Sequence, residues 1–488
     1  MNNIFDKLKA YSDSDYYAFH MPGHKRNLDL MDGTSPYRID ITEIDGFDDL
    51  HHAEGILRDA QERVARVYHA DETHFLVNGS TVGILSAILG TTEKGDSILV
   101  ARNCHKSVYH AIYLNELDPV YLYPKFDTEQ GLSTEIDAAD VQKALEEHPK
   151  IRAVMIVSPT YDGVVSDIEK IAEIVHAKGC PLIVDEAHGA HFGFDPYFPK
   201  SANIYGADLV INSLHKTLPA LTQTALLHVN GDMVKRRKVK QYLDMLQTSS
   251  PSYILMASID ACIGMLEETL ETHSDARSDY KYKNIFSEYA NRIEALRKDL
   301  KRLKYLKIIQ TDNTDRYDRS KFVISVKHAP MSSHELYEIL LHRYHLQMEM
   351  LAGTYVLAMT TVGDTQEGLD RLRDALLEID KEIDTRQGRP AAIETDLPLS
   401  GRQPALEKVW TIAEAVNRRD KIQKRSFEDS IGCISVEYAY LYPPGSPLIV
   451  PGERITKEAV EILHWYQEHD FSIEGLQSED GIEVWIDG

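Results

Sequence analysis

The sequence predicts an α/β fold built around a mostly parallel sheet. Short apolar stretches alternate with amphipathic stretches of helical periodicity over most of the first half of the chain. The apolar stretches are nearly continuous, which is typical of strands that helices bury on both faces. Polar motifs follow several of them, at the carboxyl ends of strands where sheets of this class bind ligands.

The predicted elements begin with a helix over residues 53–69, where apolar side chains recur every three to four positions. Six strand candidates follow it, at His74–Val77, Ser97–Ala101, Val120–Tyr123, Ala153–Ser158, Pro181–Ala187 and Ala207–Ser213. The helices predicted between them include Val82–Leu89, Ala138–Glu147 and Asp167–Ala177. A further apolar run, Ala225–Val229, indicates one more buried strand.

The second half of the chain indicates further units. Long helices over residues 254–305 precede three strand candidates interleaved with two helices, at Lys321–Val326, Leu346–Leu351 and Tyr355–Thr361. Residues 387–405 are rich in proline and glycine, which indicates a linker. We therefore predict four segments: an N-terminal arm over 1–65, a large domain over 66–275, a small α/β domain over 276–390 and a C-terminal domain over 391–488.

Composition narrows the function classes. The chain has 488 residues, too many for one core, and a net charge of −24. That charge argues against nucleic-acid binding and is compatible with a cationic substrate. We see no apolar run long enough to cross a bilayer and no signal peptide at the start. The four cysteines form no CxxC pair, which suits a reducing cytoplasm, so we expect a cytoplasmic protein that binds neither membranes nor nucleic acid.

Lys216 follows a predicted buried strand, in the stretch Ser213-Leu214-His215-Lys216. A lysine cation is costly to bury there, and less so when the amine is neutral or covalently bonded. Lys216 lies 31 residues after Asp185, which ends an earlier strand candidate. Neighbouring parallel strands would bring both side chains to one crevice. The alternative is an ordinary exposed or salt-bridged lysine.

The motif NGST, residues 78–81, lies between a predicted strand and a predicted helix. The hydroxyls of Ser80 and Thr81, with backbone amides at a helix N-terminus, suit a phosphate group. Serine and threonine are also favoured helix caps, and the motif taken alone favours a plain N-cap.

The motif DEAHGAH, residues 185–191, closes the apolar strand PLIV and allows three interpretations. His188 and His191 could bind a metal, although their spacing is loose. The same letters occur in helicases, but those require a GxxxxGK[ST] phosphate loop and this chain contains no Gly-Lys pair. The third interpretation is that Asp185 holds a ring nitrogen protonated.

Two more strand ends carry candidate residues. His105 follows the strand SILVA, where its ring could stack on a ligand or belong to the core. Thr160 lies in SPTYDGVVSD, where Asp162-Gly163 also indicates a simple turn. A reactive lysine, an aspartate for a pyridine nitrogen and a hydroxyl-rich phosphate cup are together the parts of a pyridoxal phosphate site.

At these motifs the chain resembles, nearly end to end, the bacterial ornithine/lysine/arginine decarboxylases that use pyridoxal phosphate. The motifs occur in the family's order: FHMPGHK (19–25), NGST (78–81), CHKS (104–107), PTYDG (159–163), DEAHGAHF (185–192), SLHKTLPALTQ (213–223) and YPPGSPLIVPGE (442–453). The resemblance implies the aspartate-aminotransferase-like fold (type I), with a small α/β domain and a C-terminal α+β domain. The chain resembles the short form of the family, which lacks the N-terminal wing domain.

The resemblance implies which residues hold the cofactor. Lys216 would attach it covalently, Asp185 would pair with the ring nitrogen and His105 would stack on the ring. The residues expected to hold its phosphate are Ser80, Thr81, Ser213 and His215.

The resemblance also implies roles at the reacting end. His188 and Thr160 would lie near the ring oxygen or the reacting carboxylate, and His215 or Lys216 would return a proton to Cα. Glu437, which precedes YPPG, is expected to bind the distal cation of the substrate. The motif residues His20, His24 and Lys25 are expected to line the entrance.

The implied reaction is decarboxylation of a basic L-amino acid to its amine and carbon dioxide. Arginine is favoured over lysine and ornithine, and polyamine biosynthesis is favoured as the role. The alternatives are an aminotransferase or aldolase of the same fold, although Leu351–Gly363 lacks the arginine with which aminotransferases usually clamp a carboxylate. A pyridoxal-phosphate-binding regulator is the non-enzyme alternative. We expect a homodimer or a higher homo-oligomer.

Overall fold

The computed structural model describes residues 13–25, 27, 36–271, 282, 284–309, 314–385, 403–418, 421–442 and 446–486. Its centre is a seven-stranded sheet. In spatial order the strands are Glu72–Leu76, Ala225–Val229, Leu209–Asn212, Leu182–Asp185, Ile151–Val157, Ser97–Ala101 and Asp118–Leu122. Only Ala225–Val229 runs antiparallel to its neighbours. The predicted mostly parallel sheet is confirmed.

Helices cover this sheet and connect its strands. They are Ile56–Val67, Gly79–Thr91, Lys106–Leu114, Ala138–Glu147, Ile168–Ala177 and Arg236–Leu246. Asp137 and Asp167 cap two of them by accepting backbone N–H bonds, which explains where those helices begin. The helix Gly79–Thr91 is apolar on most sides and largely buried. It approaches the sheet closely, since a Cβ on Gly83 would lie 2.6 Å from Leu76 Cδ1.

A second unit contains a four-stranded antiparallel sheet. Its strands, in order, are Lys307–Ile308, Lys321–Ser325, Tyr355–Met359 and Met350–Ala352. The helices of this region are Tyr253–Glu271, Ile285–Leu300, Ser333–His342 and Gln366–Thr385. The strand predicted over 346–351 is in fact two, because Leu346–Met348 pairs instead with the N-terminal strand Tyr17–Phe19. The first segment of the chain is thereby attached to this second unit.

The C-terminal region has two small sheets. One contains Ile422–Arg425, Ile482–Trp485 and Ile434–Ser435, and the other contains Ser446–Ile449, Ala439–Tyr442 and Ser472–Glu474. Its helices are Ile412–Asn417 and Lys457–Glu468. The remaining short elements are the strands Phe126–Asp127 and Leu132–Ser133, the helices Pro36–Ile39 and Leu214–Thr217, and the 3₁₀ turns Leu50–His52, Ala202–Tyr205, Thr314–Arg316 and Glu428–Ser430. The bounds of the four predicted domains stay predictions.

A buried ion pair joins the C-terminal region to the central sheet. Arg102, which follows the strand Ser97–Ala101, lies 3.0 Å from Glu453, and each side chain is 1% exposed. Arg102 also donates to the carbonyls of Pro447 and Leu448, and its guanidinium lies 5.0 Å from the ring of Tyr121. Breaking a buried pair of this kind is strongly destabilising, so the contact fixes the C-terminal region against the sheet.

None of the helices in the described part of the chain is both long and apolar enough to cross a membrane.

Candidate active site

A cavity of about 530 Å³ lies at the carboxyl ends of the parallel strands. It gathers eight of the ten residues that the sequence singles out: Ser80, Thr81, His105, Thr160, Asp185, His188, His215 and Lys216. These residues come from five separate segments of the chain. The sheet brings them together because parallel strands present their following loops at one edge.

Lys216 lies in the short helical turn Leu214–Thr217, directly after the strand Leu209–Asn212. Its Nζ is 3.1 Å from Nε2 of His188. Burial lowers the pKa of the Lys216 amine, and the nearby carboxylate of Asp185 opposes that effect. An amine in this setting loses its proton more readily than an exposed lysine, which favours attack on an aldehyde.

The motif FHMPGHK lies behind the lysine turn. The N–H of Gly23 donates to the carbonyl of His215 at 2.6 Å, and a Cβ on Gly23 would lie 2.6 Å from the carbonyl oxygen of Leu218. Only glycine therefore permits this approach. His20, His24 and Lys25 are not among the residues that line the cavity. Lys25 is buried and donates to the carbonyls of His20 and Met359. This motif supports the site and does not form its wall.

Asp185 is the last residue of the strand Leu182–Asp185 and its side chain is buried. Its Oδ1 accepts the N–H of Ala187 at 3.1 Å. Burial raises the pKa of this carboxyl, and the Lys216 cation opposes the rise. A buried carboxylate facing a cavity is suited to a protonated ring nitrogen, whose charge would offset the cost of burial.

His188 connects the lysine to the neighbouring loop. Its ring lies 4.4 Å from the ring of Tyr161, measured between centroids. Burial lowers the pKa of His188 well below its usual value, and the Lys216 cation lowers it further. Within the described residues its Nδ1 is buried without a hydrogen-bond partner. A neutral imidazole with one free nitrogen is available to a ligand.

His191, the other histidine of DEAHGAH, faces a different partner. Its Nε2 lies 3.1 Å from Asp318, which also pairs with Lys321 at 2.8 Å. All three side chains are buried. His188 and His191 therefore make contacts with separate groups, lysine and aspartate respectively.

One end of the cavity is suited to a phosphate. Ser80 and Thr81 lie in the first turn of the helix Gly79–Thr91, where N–H groups have no partner within the helix. Gly79 begins that turn with φ +72°, and its N–H donates to the carbonyl of Gln223 at 2.9 Å. Ser213 does not line the cavity, but its buried Oγ has no hydrogen-bond partner in the described part of the chain. These donors fit an anion.

His105 lies on another side of the cavity as the N-cap of the helix Lys106–Leu114. Its Nδ1 lies 2.9 Å from Oγ of Ser107, which fixes the ring. Desolvation, with a smaller effect from the Lys216 cation, lowers the pKa of His105 to about 4. The ring is therefore neutral at physiological pH, as suits stacking on a flat heterocycle.

Thr160 and Asp162 belong to the loop after the strand Ile151–Val157. Oγ1 of Thr160 accepts the N–H of Val164 at 3.0 Å, and Asp162 Oδ1 accepts the hydroxyl proton of Tyr355 at 2.6 Å. Both lie along the cavity. The sequence did not single out Tyr355 as a site residue, since nothing local marks a tyrosine 193 residues away as a partner of Asp162.

Glu437 lies outside the residues that line this cavity. Its two carboxylate oxygens accept the N–H groups of Gln477 at 2.9 Å and Glu483 at 2.7 Å. Within this chain the carboxylate holds two C-terminal segments together. Its predicted role in substrate binding stays a prediction.

Glu186 follows Asp185 in sequence but faces the other way, towards the backbone N–H of Ala202 and the side chains of Ser201 and Asn212. Burial raises the pKa of Glu186 from 4.5 to about 8. The folded protein therefore keeps a proton that the unfolded chain releases above pH 4.5. Stability from this group falls as pH rises from 4.5 to 8, by about 1.4 kcal/mol per pH unit.

We expect Glu186→Gln to remove that part of the pH dependence, because glutamine has no proton to lose. Urea unfolding measured between pH 5 and pH 8 should show a smaller loss of stability in the variant than in the unchanged protein. Equal slopes in the two proteins would show that Glu186 is already ionised in the folded state.

The residues around the cavity fit pyridoxal phosphate. A reactive amine, a buried carboxylate, a neutral histidine ring and hydroxyls at a helix start match its aldehyde, ring nitrogen, ring face and phosphate. The buried Oγ of Ser213 and Nδ1 of His188 lack partners among the described residues, and a bound cofactor would be a candidate partner for them.

Comparisons with known proteins agree with this arrangement. The family model for the Orn/Lys/Arg decarboxylase major domain matches residues 2–339, and the model for the C-terminal domain matches residues 402–484. An uncharacterised Bacillus subtilis protein, YaaO, is 36% identical over 94% of this chain and 93% of its own length. An arginine decarboxylase of the same organism is 30% identical over 94% of this chain and 92% of its own.

Solved structures show the same fold. The Francisella novicida lysine decarboxylase LdcF aligns with a TM-score of 0.78 at 18% identity, over 99% of this chain and 80% of that one. The two family matches together span most of the sequence. The chain belongs to the Orn/Lys/Arg decarboxylase family and is a pyridoxal-phosphate-dependent decarboxylase of fold type I.

Proposed function

We propose that this enzyme decarboxylates a basic L-amino acid, with arginine preferred over lysine and ornithine, to the corresponding amine and carbon dioxide. The observation that carries the proposal is the convergence of Lys216, Asp185 and His188 in one cavity at the end of the central sheet. Support for arginine comes from relatives named arginine decarboxylase, which are 30–31% identical over at least 92% of this chain. Relatives named lysine decarboxylase are 25–26% identical over 53–54% of it.

Each site residue has a role in this proposal. Lys216 would hold the cofactor covalently through Nζ, Asp185 would keep the ring nitrogen protonated and His105 would stack on the ring. When bound, pyridoxal phosphate supplies an electron sink for the bond to the departing carboxylate. The residues that hold its phosphate are Ser80, Thr81, Ser213 and His215.

The protein's part in the reaction is orientation and proton transfer. By holding the phosphate, the ring nitrogen and the ring face, these residues would restrict the cofactor to one orientation, as selective loss of the carboxylate requires. His188 and Thr160 would lie near the ring oxygen of the cofactor or the reacting carboxylate. The amine of Lys216, 3.1 Å from His188, is placed to return the proton to Cα, with His215 as the other candidate.

The physiological setting is part of the same proposal. Loss of carbon dioxide from a basic amino acid gives a di-cationic amine, as polyamine biosynthesis requires, and we place the enzyme in the cytoplasm. We also propose a homodimer or a higher homo-oligomer.

The test is to incubate the purified, cofactor-loaded enzyme separately with L-arginine, L-lysine and L-ornithine. Carbon dioxide release should be fastest with arginine, and mass spectrometry should identify the matching amine. A keto acid in place of the amine would point to an aminotransferase. No reaction with any of the three would reject the proposed function.

A further inference from the structure

The substrate class of the proposed function requires an anion away from the reacting centre. A basic amino acid carries a second cation at the end of an aliphatic side chain, and burying that cation is costly unless a carboxylate pairs with it. Among the described residues that line the cavity, two carry a carboxylate, Asp162 and Asp185. Asp185 is the proposed partner of the cofactor ring, so Asp162 is left for the substrate.

The loop that carries Asp162 is connected to the reactive lysine through His188. Lys216 contacts His188, and the ring of His188 lies 4.4 Å from that of Tyr161, the residue before Asp162. Lys216 is therefore connected to Asp162 through the side chains of His188 and Tyr161 and one peptide bond. Lys216, Tyr161 and Asp162 all line the same cavity, so a substrate bound there is exposed to all three.

Asp162 is buried and lacks a paired cation. It is 8% exposed, and no lysine or arginine in the described ranges forms an ion pair with it. The hydroxyl of Tyr355 donates to its Oδ1 at 2.6 Å and so fixes the carboxylate. Burial raises the pKa of Asp162 to about 6, so that the group is largely ionised at pH 7. The Lys321 cation stabilises this carboxylate without forming an ion pair with it, so a cation that contacts the carboxylate directly adds a charge-assisted bond.

The cavity around Asp162 suits the aliphatic stem of such a side chain. Apolar and aromatic residues from three parts of the chain line it, namely Phe126, Leu132, Leu441, Leu448, Ile462 and Tyr466. These apolar side chains stabilise the methylene groups of a bound substrate, and they would not stabilise a further charged group. The cavity thus offers apolar surface for the aliphatic stem and a fixed carboxylate for the distal cation.

We infer that Asp162, held by Tyr355, binds the distal ammonium or guanidinium group of the substrate and selects basic over neutral amino acids. The inference rests on the proposed function and makes it more specific. It assigns the anion to the PTYDG loop, where the sequence alone pointed to Glu437.

The test is Asp162→Asn, which keeps the shape of the side chain and removes its charge. We expect KM for arginine to rise about 10- to 100-fold, the loss typical of a charge-assisted contact, with kcat changed less than about threefold. The preference for lysine over norleucine, which has no distal cation, should fall by a similar factor. Asp140→Asn, at an exposed carboxylate on the helix Ala138–Glu147, is the matched control and should leave both values unchanged.

Three further results decide the inference. An unchanged KM and an unchanged lysine-to-norleucine ratio in Asp162→Asn overturn it, and so does a rise confined to Glu437→Gln. If Asp162→Asn no longer retains the cofactor absorbance, Tyr355→Phe replaces it, and KM should then rise about 3- to 10-fold with the loss of one hydrogen bond. An unchanged KM in Tyr355→Phe then counts against the inference. Failure of the unmodified enzyme to act on any basic amino acid rejects the proposed function instead.

Discussion

Lys216→Ala is expected to remove both the covalent attachment of the cofactor and the turnover of the enzyme. Alanine has no amine to bond with the pyridoxal aldehyde, and the proton that Nζ would return to Cα is lost with it. We expect kcat to fall by at least about a thousandfold, because covalent attachment and proton transfer depend on the same atom. Borohydride reduction followed by mass spectrometry should find the cofactor mass on the peptide with Lys216 in the unchanged enzyme and on none in the variant.

Lys216→Arg is the matched variant, since arginine keeps a positive charge but does not form the covalent bond. It should be as inactive as Lys216→Ala while retaining more of the stability that depends on the charge opposite Asp185. Turnover close to that of the unchanged enzyme in either variant would show that another amine attaches the cofactor. Lys25 and Lys321, both buried, are the lysines to examine in that event.

Asp185→Asn is expected to have the second largest effect. Asparagine has nearly the same shape and keeps an acceptor oxygen for the N–H of Ala187, so the cofactor should still bind. It carries no charge, however, and no longer holds the ring nitrogen protonated. Losing one preorganised electrostatic contact of this kind typically costs about a hundred- to a thousandfold in kcat, which is the decrease that we expect.

The control for Asp185→Asn is Glu186→Gln, at the next residue, whose side chain contacts Ala202 and Ser201 away from the cavity. Glu186→Gln should change kcat by no more than about twofold. It would reveal any structural effect that arises from a substitution at this end of the strand. The absorbance of the bound cofactor, measured in both variants, separates loss of binding from loss of chemistry. An undiminished rate in Asp185→Asn would mean that the ring nitrogen has a different partner.

The central sheet could be predicted because its strands are apolar on both faces. Ser97–Ala101 matches the predicted bounds, and the other strands of the sheet lie within a few residues of theirs. The helix Lys106–Leu114 was not predicted. Its sequence, KSVYHAIYL, contains valine, isoleucine and two tyrosines, which favour strands when judged by local propensity. Burial of one face against the sheet decides its structure instead.

The candidate site could be predicted where it depends on strand ends. Lys216, Asp185 and His105 each follow a strand, and parallel strands place such residues at one edge. The contact of Asp162 with Tyr355 could not be predicted, because it joins two units that lie far apart in sequence. The contacts of Glu437 could not be predicted either. Its carboxylate accepts backbone N–H groups, which every residue except proline has, so the sequence does not indicate which ones it binds.

The pairing of Arg102 with Glu453 has a consequence for biosynthesis. The two residues are 351 positions apart, so the ribosome releases the guanidinium long before its carboxylate exists. Until Glu453 emerges, Arg102 must stay in water, because an unpaired charge is too costly to bury. The nascent chain can therefore form most of the central sheet early. The contact at Arg102 forms only after residue 453 has been made, and a chain that stops before that residue leaves Arg102 without this partner.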